Sequence, residues 1–320
     1  MNSLRVGIIG LGTMGKHHLR IISNLNGVDL IGVMEPTDQK YLSSLEDMIK
    51  LKPDYCVIAV PTTQHFAIAS SLIEAGIHFL VEKPVTYSAA DALSLQQMAK
   101  ENNVVGGVGH IERYNSALIE AKKLIDTGML GNVYQVSTRR IGPFPPRIVD
   151  VGVAKDLATH DFHLTAWLMG SKYKKIFAQV SHKSGHSHED LVLVSGTLEN
   201  NVVVSHNVNW LSPLKERKVI ITAENGSFVI DTLRSDLVHY VNGVVSSDDS
   251  FVSHFRGVTQ GNIVNLAFAK KEALQAEHEN FRDYIRDRSG HIVTLEEGFE
   301  ALRVAELTLE SSRSGSALEL

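Results

Sequence analysis

The chain of 320 residues is poor in cysteine and contains no long apolar run. Its one cysteine, Cys56, lies in the apolar stretch DYCVIAV, so it cannot form an internal disulfide and is expected to be a buried, inert thiol. No apolar stretch reaches the roughly 20 residues that a membrane helix needs, and the first residues lead into a strand pattern rather than a signal peptide. We therefore expect a cytoplasmic protein that does not bind membranes, because a chain without disulfides suits a reducing compartment.

An excess of positive charge is also missing. The chain has 31 Lys and Arg residues against 36 Asp and Glu residues, a formal net charge of -5. Proteins that bind nucleic acids usually carry a basic face, so we expect no nucleic-acid partner. No metal site is expected either, because His182, His186 and His188 follow no zinc-ligand spacing, and the segment SHKSGHSHED is typical of a hairpin loop.

The first part of the chain alternates short apolar runs with helical patterns. The runs are too apolar for half-exposed strands, which predicts a parallel sheet covered on both faces, the doubly wound α/β arrangement. Helices are predicted near 13–24, 64–75 and 88–101, the last with Ser88 as its N-cap. Between Glu35 and the third strand there is room for one short helical segment only. The predicted strands are 4–10, 28–34, 54–60, 77–82 and 103–109.

The second part of the chain has a different rhythm. Strand-like segments follow one another between 173 and 255, and turn signals at 199–201 and 224–227 predict hairpins and hence a mostly antiparallel sheet. Two helices are predicted at the end, 267–288 and 295–312, the second with a capping box formed by Thr294 and Glu297. We expect two domains, residues 1–115 for dinucleotide binding and residues 116–320 for substrate binding and oligomerisation, with the last helix packing back on the first domain.

The motif GLGTMG supplies Gly10, Gly12 and Gly15 at the spacing of dinucleotide-binding loops. It follows a predicted strand and opens a predicted helix, which is the context that gives the motif its meaning. Gly10 allows the tight turn, Gly12 lets the backbone approach a pyrophosphate, and Gly15 lets helix and strand pack closely. The pyrophosphate would bind at the helix N-terminus, beside Thr13 and Met14.

Glu35 ends the second strand, where an acid accepts hydrogen bonds from the adenosine ribose and repels a 2′-phosphate. No arginine follows it closely. The sequence therefore predicts NAD as the cofactor in preference to NADP.

Four motifs occur in order with the glycine loop: AVPTTQH (59–65), EKPV (82–85), GHIERYN (109–115) and DLATHD (156–161). Together they resemble the Gfo/Idh/MocA oxidoreductases over nearly the whole chain. The resemblance implies a Rossmann domain, a second domain on an open antiparallel sheet, and NAD(P)-dependent oxidation or reduction of sugars and inositols. It implies that Lys83, Asp156 and His160 line the reaction centre. It extends cofactor binding to Pro61, Thr62, His65, Glu82 and Lys83.

The chemistry of alcohol oxidation suits the same three residues. His160 can accept the hydroxyl proton near neutral pH, and Lys83 can stabilise the negative charge that develops on the oxygen. Asp156 precedes His160 by four residues, on the same face of an α-helix, and could orient His160 or bind a substrate hydroxyl. The roles of Asp161 and His163 stay open, and His163 could simply line the pocket.

The segment 139–161 and GHIERYN resemble a subgroup that acts on nucleotide sugars, the UDP-N-acetylglucosamine 3-dehydrogenases. This predicts oxidation of the 3-hydroxyl of a UDP-N-acetylhexosamine to a ketone. Arg113, Asn115 and Arg147 are candidate substrate ligands, since guanidinium groups suit a diphosphate. Ser116 and Tyr114 stand where the subgroup usually has proline and phenylalanine.

Two alternatives remain. The protein could be a free-sugar or inositol dehydrogenase or a ketosugar reductase, or it could be a non-catalytic ligand sensor of the same fold, although Lys83 and His160 are both present. The resemblance also implies a homodimer or homotetramer that associates through the sheet of the second domain.

Overall fold

A parallel sheet of five strands is built by the first third of the chain. The computed structural model describes residues 3–145, 151–185, 187–243 and 259–320. The strand order is β2-β1-β3-β4-β5, and neighbouring strands run parallel. This confirms the doubly wound α/β prediction, and the inner strands β3 and β4 are buried on both faces. The strands are β1 (Leu4–Ile9), β2 (Val28–Met34), β3 (Tyr55–Ile58), β4 (His78–Glu82) and β5 (Gly106–Gly109).

Four helices connect these strands, and two of them begin at serine caps. The hydroxyl oxygens of Ser44 and Ser88 accept hydrogen bonds from the backbone of Asp47 and Asp91. Each such cap contributes about 1 kcal/mol to helix stability. Only one short helix, α2, separates β2 from β3, as the sequence indicated. The helices are α1 (Thr13–Ile22), α2 (Leu45–Lys50), α3 (His65–Glu74) and α4 (Ala89–Glu101).

Two helices from the end of the chain, α7 (Ala273–Asp287) and α8 (Leu295–Ser314), complete the core around this sheet. Phe281 of α7 packs edge-on against Tyr55 of β3, with ring centroids 5.2 Å apart. The predicted capping box of α8 is present. The predicted start of α7 at 267 is wrong, because Lys270 is held outside the helix by the Arg234 carbonyl oxygen and Asp236.

The second sheet has nine strands in the order β13-β12-β11-β10-β6-β9-β8-β7-β14. All pairs are antiparallel except β6 with β9, which is parallel. Both predicted hairpin turns are present, with positive φ at Asn201 (64°) and Gly226 (129°). The strands are β6 (Val133–Pro143), β7 (Tyr173–Ser181), β8 (Leu191–Leu198), β9 (Val203–Asn209), β10 (Leu211–Ala223), β11 (Gly226–Asp231), β12 (Asp236–Gly243), β13 (Thr259–Asn265) and β14 (Leu318–Glu319).

Among the residues that the structure describes, only one face of this sheet is covered. On the covered face Val136, Val204 and Phe228 are fully buried, and the helix α5 (Ser116–Asp126) packs on β11 and β12. Residues of the opposite face stay partly exposed, which gives the alternating burial typical of antiparallel strands with one wet side.

The chain forms two compact units whose segments alternate along the sequence. The first unit contains residues 1–114, 148–163 and 271–306, and the second contains 115–147, 164–270 and 307–320. The division of the sequence into 1–115 and 116–320 therefore stays a prediction. Among the described helices, none combines the length and the apolar character that crossing a membrane requires.

Candidate functional site

The glycine loop joins β1 to α1 and shows why three glycines are needed. Gly10 has a φ of +94°, and a Cβ atom there would lie 2.6 Å from the carbonyl oxygen of Ala59. A Cβ atom on Gly15 would lie 2.0 Å from the Gly10 carbonyl oxygen, whereas one on Gly12 would meet nothing within 4 Å. Gly10 and Gly15 are thus required for packing, and Gly12 leaves open space for a ligand.

The N-terminus of α1 begins at this open space. Gly12 occupies the N-cap position and provides no side-chain cap, and the first turn, which contains Thr13 and Met14, has no acidic residue. The first backbone N–H groups of a helix have no intrahelical partner and carry a partial positive charge. These features fit the pyrophosphate of a dinucleotide.

Glu35 is held in a defined position just beyond β2. Its carboxylate accepts hydrogen bonds from the Leu11 backbone (2.9 Å) and from the hydroxyl group of Thr37 (2.6 Å). The Thr37 hydroxyl, and then the Leu11 N–H, lower the pKa of Glu35, so the carboxylate stays ionised. A fixed negative charge beside the glycine loop suits a ribose diol and opposes a phosphate.

The loop after β3 is tied to the turn after β4 by His65. One ring nitrogen of His65 lies 2.9 Å from the Pro84 carbonyl oxygen and the other lies 3.0 Å from that of Val60. Burial lowers the pKa of His65, so the ring is neutral and one nitrogen at a time donates. Pro61 and Thr62 precede it in a short 3₁₀ turn, Thr62–Gln64. His65 thus packs the two loops together.

Lys83 and Asp156 form the central ion pair of the site. The Lys83 ammonium group donates to the Asp156 carboxylate over 2.5 Å and to the Asp156 backbone carbonyl oxygen over 2.7 Å. Their side chains are 14% and 4% exposed. The peptide bond between Lys83 and Pro84 is cis. Asp156 therefore fixes the ammonium group at the carboxyl end of β4.

A π-helical turn, Ala154–Ala158, carries Asp156 and runs into α6, Thr159–Met169. The sequence predicted regular α-helical spacing from Asp156 to His160. A π turn contains one extra residue per turn and is often found at functional sites. In this arrangement the Asp156 carboxylate binds Lys83, while the ring of His160 lies edge-on to His110, with centroids 5.6 Å apart.

Three histidine rings lie next to one another behind this pair. His110 stacks on His163 with centroids 4.6 Å apart and also contacts His160. Burial, and then the charges of His163, Lys83 and Arg113, hold the pKa of His110 well below its usual value. Burial and Arg113 lower the pKa of His163 to about 3. His110 and His163 therefore stay neutral beside His160.

Glu82 is buried in a separate hydrogen-bonded group. Its carboxylate lies 2.9 Å from the Nε2 atom of His18 and accepts the backbone N–H of Lys83 over 3.2 Å. The Nδ1 atom of His18 lies 2.8 Å from the Nε2 atom of His278. All of these residues belong to the first compact unit.

The predicted substrate ligands Arg113 and Asn115 each have structural partners of their own. Arg113 forms an ion pair with Glu297. Asn115 caps α5, accepting the Ala117 N–H over 3.0 Å and donating to the Thr232 carbonyl oxygen over 2.9 Å. Arg147 lies outside the described residues. The structure thus brings Lys83, Asp156, His160 and Glu82 together in one unit and gives Asn115 a structural role as a cap.

Sequence reasoning missed several residues of this unit. His110 directly follows β5, and its place beyond the carboxyl end of a parallel strand was the available signal. His18 and His278 gave none, because their contact joins residues 260 positions apart. The three-histidine loop was predicted between β7 and β8, where it lies, although His186 is outside the described residues.

Two family models match the chain. The model described as an oxidoreductase family with an NAD-binding Rossmann fold matches residues 4–110, and that of the C-terminal alpha/beta domain of the same oxidoreductase family matches residues 122–320. Together they cover most of the sequence.

Individual relatives share about a quarter of their residues with this chain. The UDP-N-acetylglucosamine 3-dehydrogenase of Acidithiobacillus ferrooxidans is 28% identical over 295 residues, covering 89% of this chain and 90% of the relative. A solved structure of UDP-N-acetylglucosamine 3-dehydrogenase GnnA from that species has a TM-score of 0.84 at 25% identity, covering 98% of this chain and 99% of the other. The scyllo-inositol 2-dehydrogenase (NAD(+)) of Bacillus subtilis is 23% identical, covering 100% of this chain and 97% of the relative.

Proposed function

The chain belongs to the Gfo/Idh/MocA family of NAD(P)-dependent oxidoreductases, and we propose that it oxidises the 3-hydroxyl group of a UDP-N-acetylhexosamine to a ketone with NAD. The single observation that carries the catalytic part is the Lys83–Asp156 ion pair at the carboxyl end of β4, in the same unit as the glycine loop and His160. Ligands of open α/β sheets bind beyond the carboxyl ends of the parallel strands.

The cofactor preference is supported by Glu35. Its carboxylate is ionised and accepts hydrogen bonds from the Leu11 backbone and the Thr37 hydroxyl group. Bound NAD would lie with its pyrophosphate on the N-terminus of α1 and its ribose hydroxyls on Glu35. A 2′-phosphate would meet the Glu35 charge, which favours NAD over NADP.

The proposed chemistry divides the alcohol into a hydride and a proton. Bound NAD supplies the acceptor for the hydride that leaves the carbon. His160 takes the hydroxyl proton as general base. The Lys83 ammonium group donates to the reacting oxygen and offsets the charge that develops there. Asp156 is the residue that keeps Lys83 in place.

The substrate class is supported by the relatives and by the sequence. The sequence relative and the solved structure from Acidithiobacillus ferrooxidans described above both carry the name UDP-N-acetylglucosamine 3-dehydrogenase. The segment 139–161 resembles that subgroup, and Arg147 within it is the candidate ligand for the diphosphate. The structure places Arg139 and Arg140 in β6, where Arg139 pairs with Glu216 over 2.9 Å and Arg140 is 2% exposed. Arg147 remains the first candidate, because it lies closest in sequence to the helix that carries His160.

The competing function is a free-sugar or inositol dehydrogenase, which the similarity to scyllo-inositol 2-dehydrogenase favours. Purified protein with NAD should be incubated separately with UDP-N-acetylglucosamine, N-acetylglucosamine and myo-inositol, and NADH formation followed by absorbance. The proposal expects turnover with the nucleotide sugar only. It also expects Arg147→Ala to raise KM for that sugar, an effect that a free-sugar enzyme would not show. A sensor would produce no NADH with any of them.

We also propose that the protein is a homodimer or homotetramer through the uncovered face of the second sheet. Four large apolar side chains share this face by strand register and are 39–48% exposed: Phe177, Leu193, Val203 and Ile220. A surface on which large exposed apolar side chains are gathered is a candidate protein interface. Light scattering should give at least twice the chain mass of 35.2 kDa. The double variant Leu193→Lys/Ile220→Glu should lower it to one chain, and a monomeric parent protein would contradict the proposal.

A further inference from the structure

A chain of buried polar groups lies directly beneath the Lys83 turn. His18 and His278 are 0% exposed and Glu82 is 9% exposed. The groups join α1, β4 and α7, three elements of the first compact unit. Buried polar side chains cost free energy unless they are hydrogen-bonded, so a connected set of this kind needs a physical reason.

The direction of the hydrogen bond between His18 and Glu82 follows from the charge of Glu82. Burial alone would raise the pKa of Glu82, but the hydrogen bond from His18, the charges of His18 and Lys83 and the Lys83 N–H together lower it. An ionised carboxylate only accepts, so the Nε2 atom of His18 is the donor. The Nδ1 atom of His18 lies 2.8 Å from the Nε2 atom of His278, so the second nitrogen of the ring is also held by a hydrogen bond.

A second buried acid, Glu277, makes the contrast with Glu82 clear. Glu277 is 0% exposed, and neither of its carboxyl oxygens has a hydrogen-bond partner among the described residues. Burial, and then the charge of Glu82, hold the pKa of Glu277 well above its usual value, so Glu277 is protonated. Glu82 therefore supplies the negative charge of this cluster.

We propose that His278, His18 and Glu82 form a positioning network in which His278 orients the ring of His18, His18 donates a hydrogen bond to Glu82, and Glu82 anchors the backbone of Lys83. Gly109 leaves the room for it, since a Cβ atom there would lie 3.3 Å from the Glu82 carboxyl group. The network acts through Lys83 and touches no substrate. The expected effect of the network on turnover rests on the proposed function. Its expected effect on the charge of Glu82 is independent of that function.

Paired variants separate positioning from packing. His18→Gln keeps a donor at the position of Nε2, whereas His18→Leu fills the space without a donor. We expect His18→Leu to lower kcat about 10- to 100-fold, as changes behind a catalytic group commonly do, with little change in the KM of the sugar. His18→Gln should stay within a few-fold of the parent. We likewise expect His278→Gln to keep a higher kcat than His278→Leu. If His18→Leu does not fold, this second pair of variants tests the network.

Infrared spectroscopy of the protein without substrate gives an independent readout. His18→Leu should show a new carbonyl band of a protonated carboxylic acid, which disappears in His18→Leu/Glu82→Gln. The matched control is Glu277→Gln, which should remove such a band from the parent protein and leave kcat unchanged, while Glu82→Gln lowers kcat.

Two results would overturn the network: leucine variants as active as the glutamine variants, or no new acid band in His18→Leu. If no nucleotide sugar is turned over by the parent protein but the bands behave as expected, the proposed function fails and the network stands.

Discussion

Lys83 donates a hydrogen bond to the carboxylate of Asp156 across 73 positions of sequence, over 2.5 Å. The pair unites the turn after β4 with the π-helical turn before α6. Because both side chains are nearly buried, neither charge can be solvated if its partner is removed.

The effects of replacing Lys83 and Asp156 on the free energy of unfolding should be strongly coupled. Lys83→Met and Asp156→Asn should each reduce the free energy of unfolding by about 3–5 kcal/mol, since each leaves a buried group of the pair without its partner. The double variant should lose much less than the sum, as measured by urea unfolding. Additive losses would show that the two side chains do not depend on each other.

Turnover should depend on Lys83 and His160 for different reasons. Lys83→Met removes a donor to the developing oxyanion and should lower kcat by about 10²–10³. His160→Asn removes the general base and should lower it by about 10²–10⁴. Both variants should still bind NADH, which a fluorescence titration can measure. Near-normal kcat in either variant would contradict the role given to that residue.

Cofactor selectivity should reside in Glu35. Glu35→Ala should raise the KM for NAD by about 10- to 100-fold, which corresponds to the loss of one charged hydrogen bond. It should also lower the ratio of the rate with NAD to the rate with NADP. Thr37→Val is the matched control, because it keeps the charge and removes one hydrogen bond to it. Initial rates with both cofactors give the ratio. An unchanged NAD to NADP ratio in Glu35→Ala would argue against this assignment.

Acid should destabilise the fold through its buried neutral histidines, of which His206 is the clearest. Its ring contacts Thr138 and Tyr173, each at 2.8 Å, and burial lowers its pKa from 6.5 to about 3. The unfolded chain binds the proton first, so the stability from the neutral ring is complete above pH 6.5 and is lost as the pH falls toward 3.

His206→Gln removes this titration, and its stability difference from the parent should shrink by about 1.4 kcal/mol per pH unit below 6.5. Urea unfolding from pH 7.5 to 4.5 measures the difference, and its value at pH 7.5 reports the lost contacts alone. A difference that does not change with pH would mean that the folded and unfolded chains protonate His206 over the same pH range, against the assigned shift.

Sequence patterns predicted the features that are local. The apolar strands, the glycine loop and the Thr294–Glu297 capping box each depend on residues near in sequence, and all are present. Strand β6 was missed because its inward positions include Thr138 and the buried Arg140, which interrupt the apolar alternation.

Long-range features of the site were not predictable from one sequence. The π turn places Asp156 against Lys83, whereas regular spacing suggested His160 as a partner. The contact of His18 with His278 depends on how α1 and α7 pack, and no local pattern signals it.

The most direct test of the central claim is the formation of NADH from NAD and UDP-N-acetylglucosamine by the purified protein, with the product sugar analysed by mass spectrometry. We expect the parent protein to form NADH and a nucleotide sugar lighter by two hydrogen atoms, and Lys83→Met to form both products far more slowly. Turnover of free myo-inositol or N-acetylglucosamine without turnover of the nucleotide sugar would contradict it.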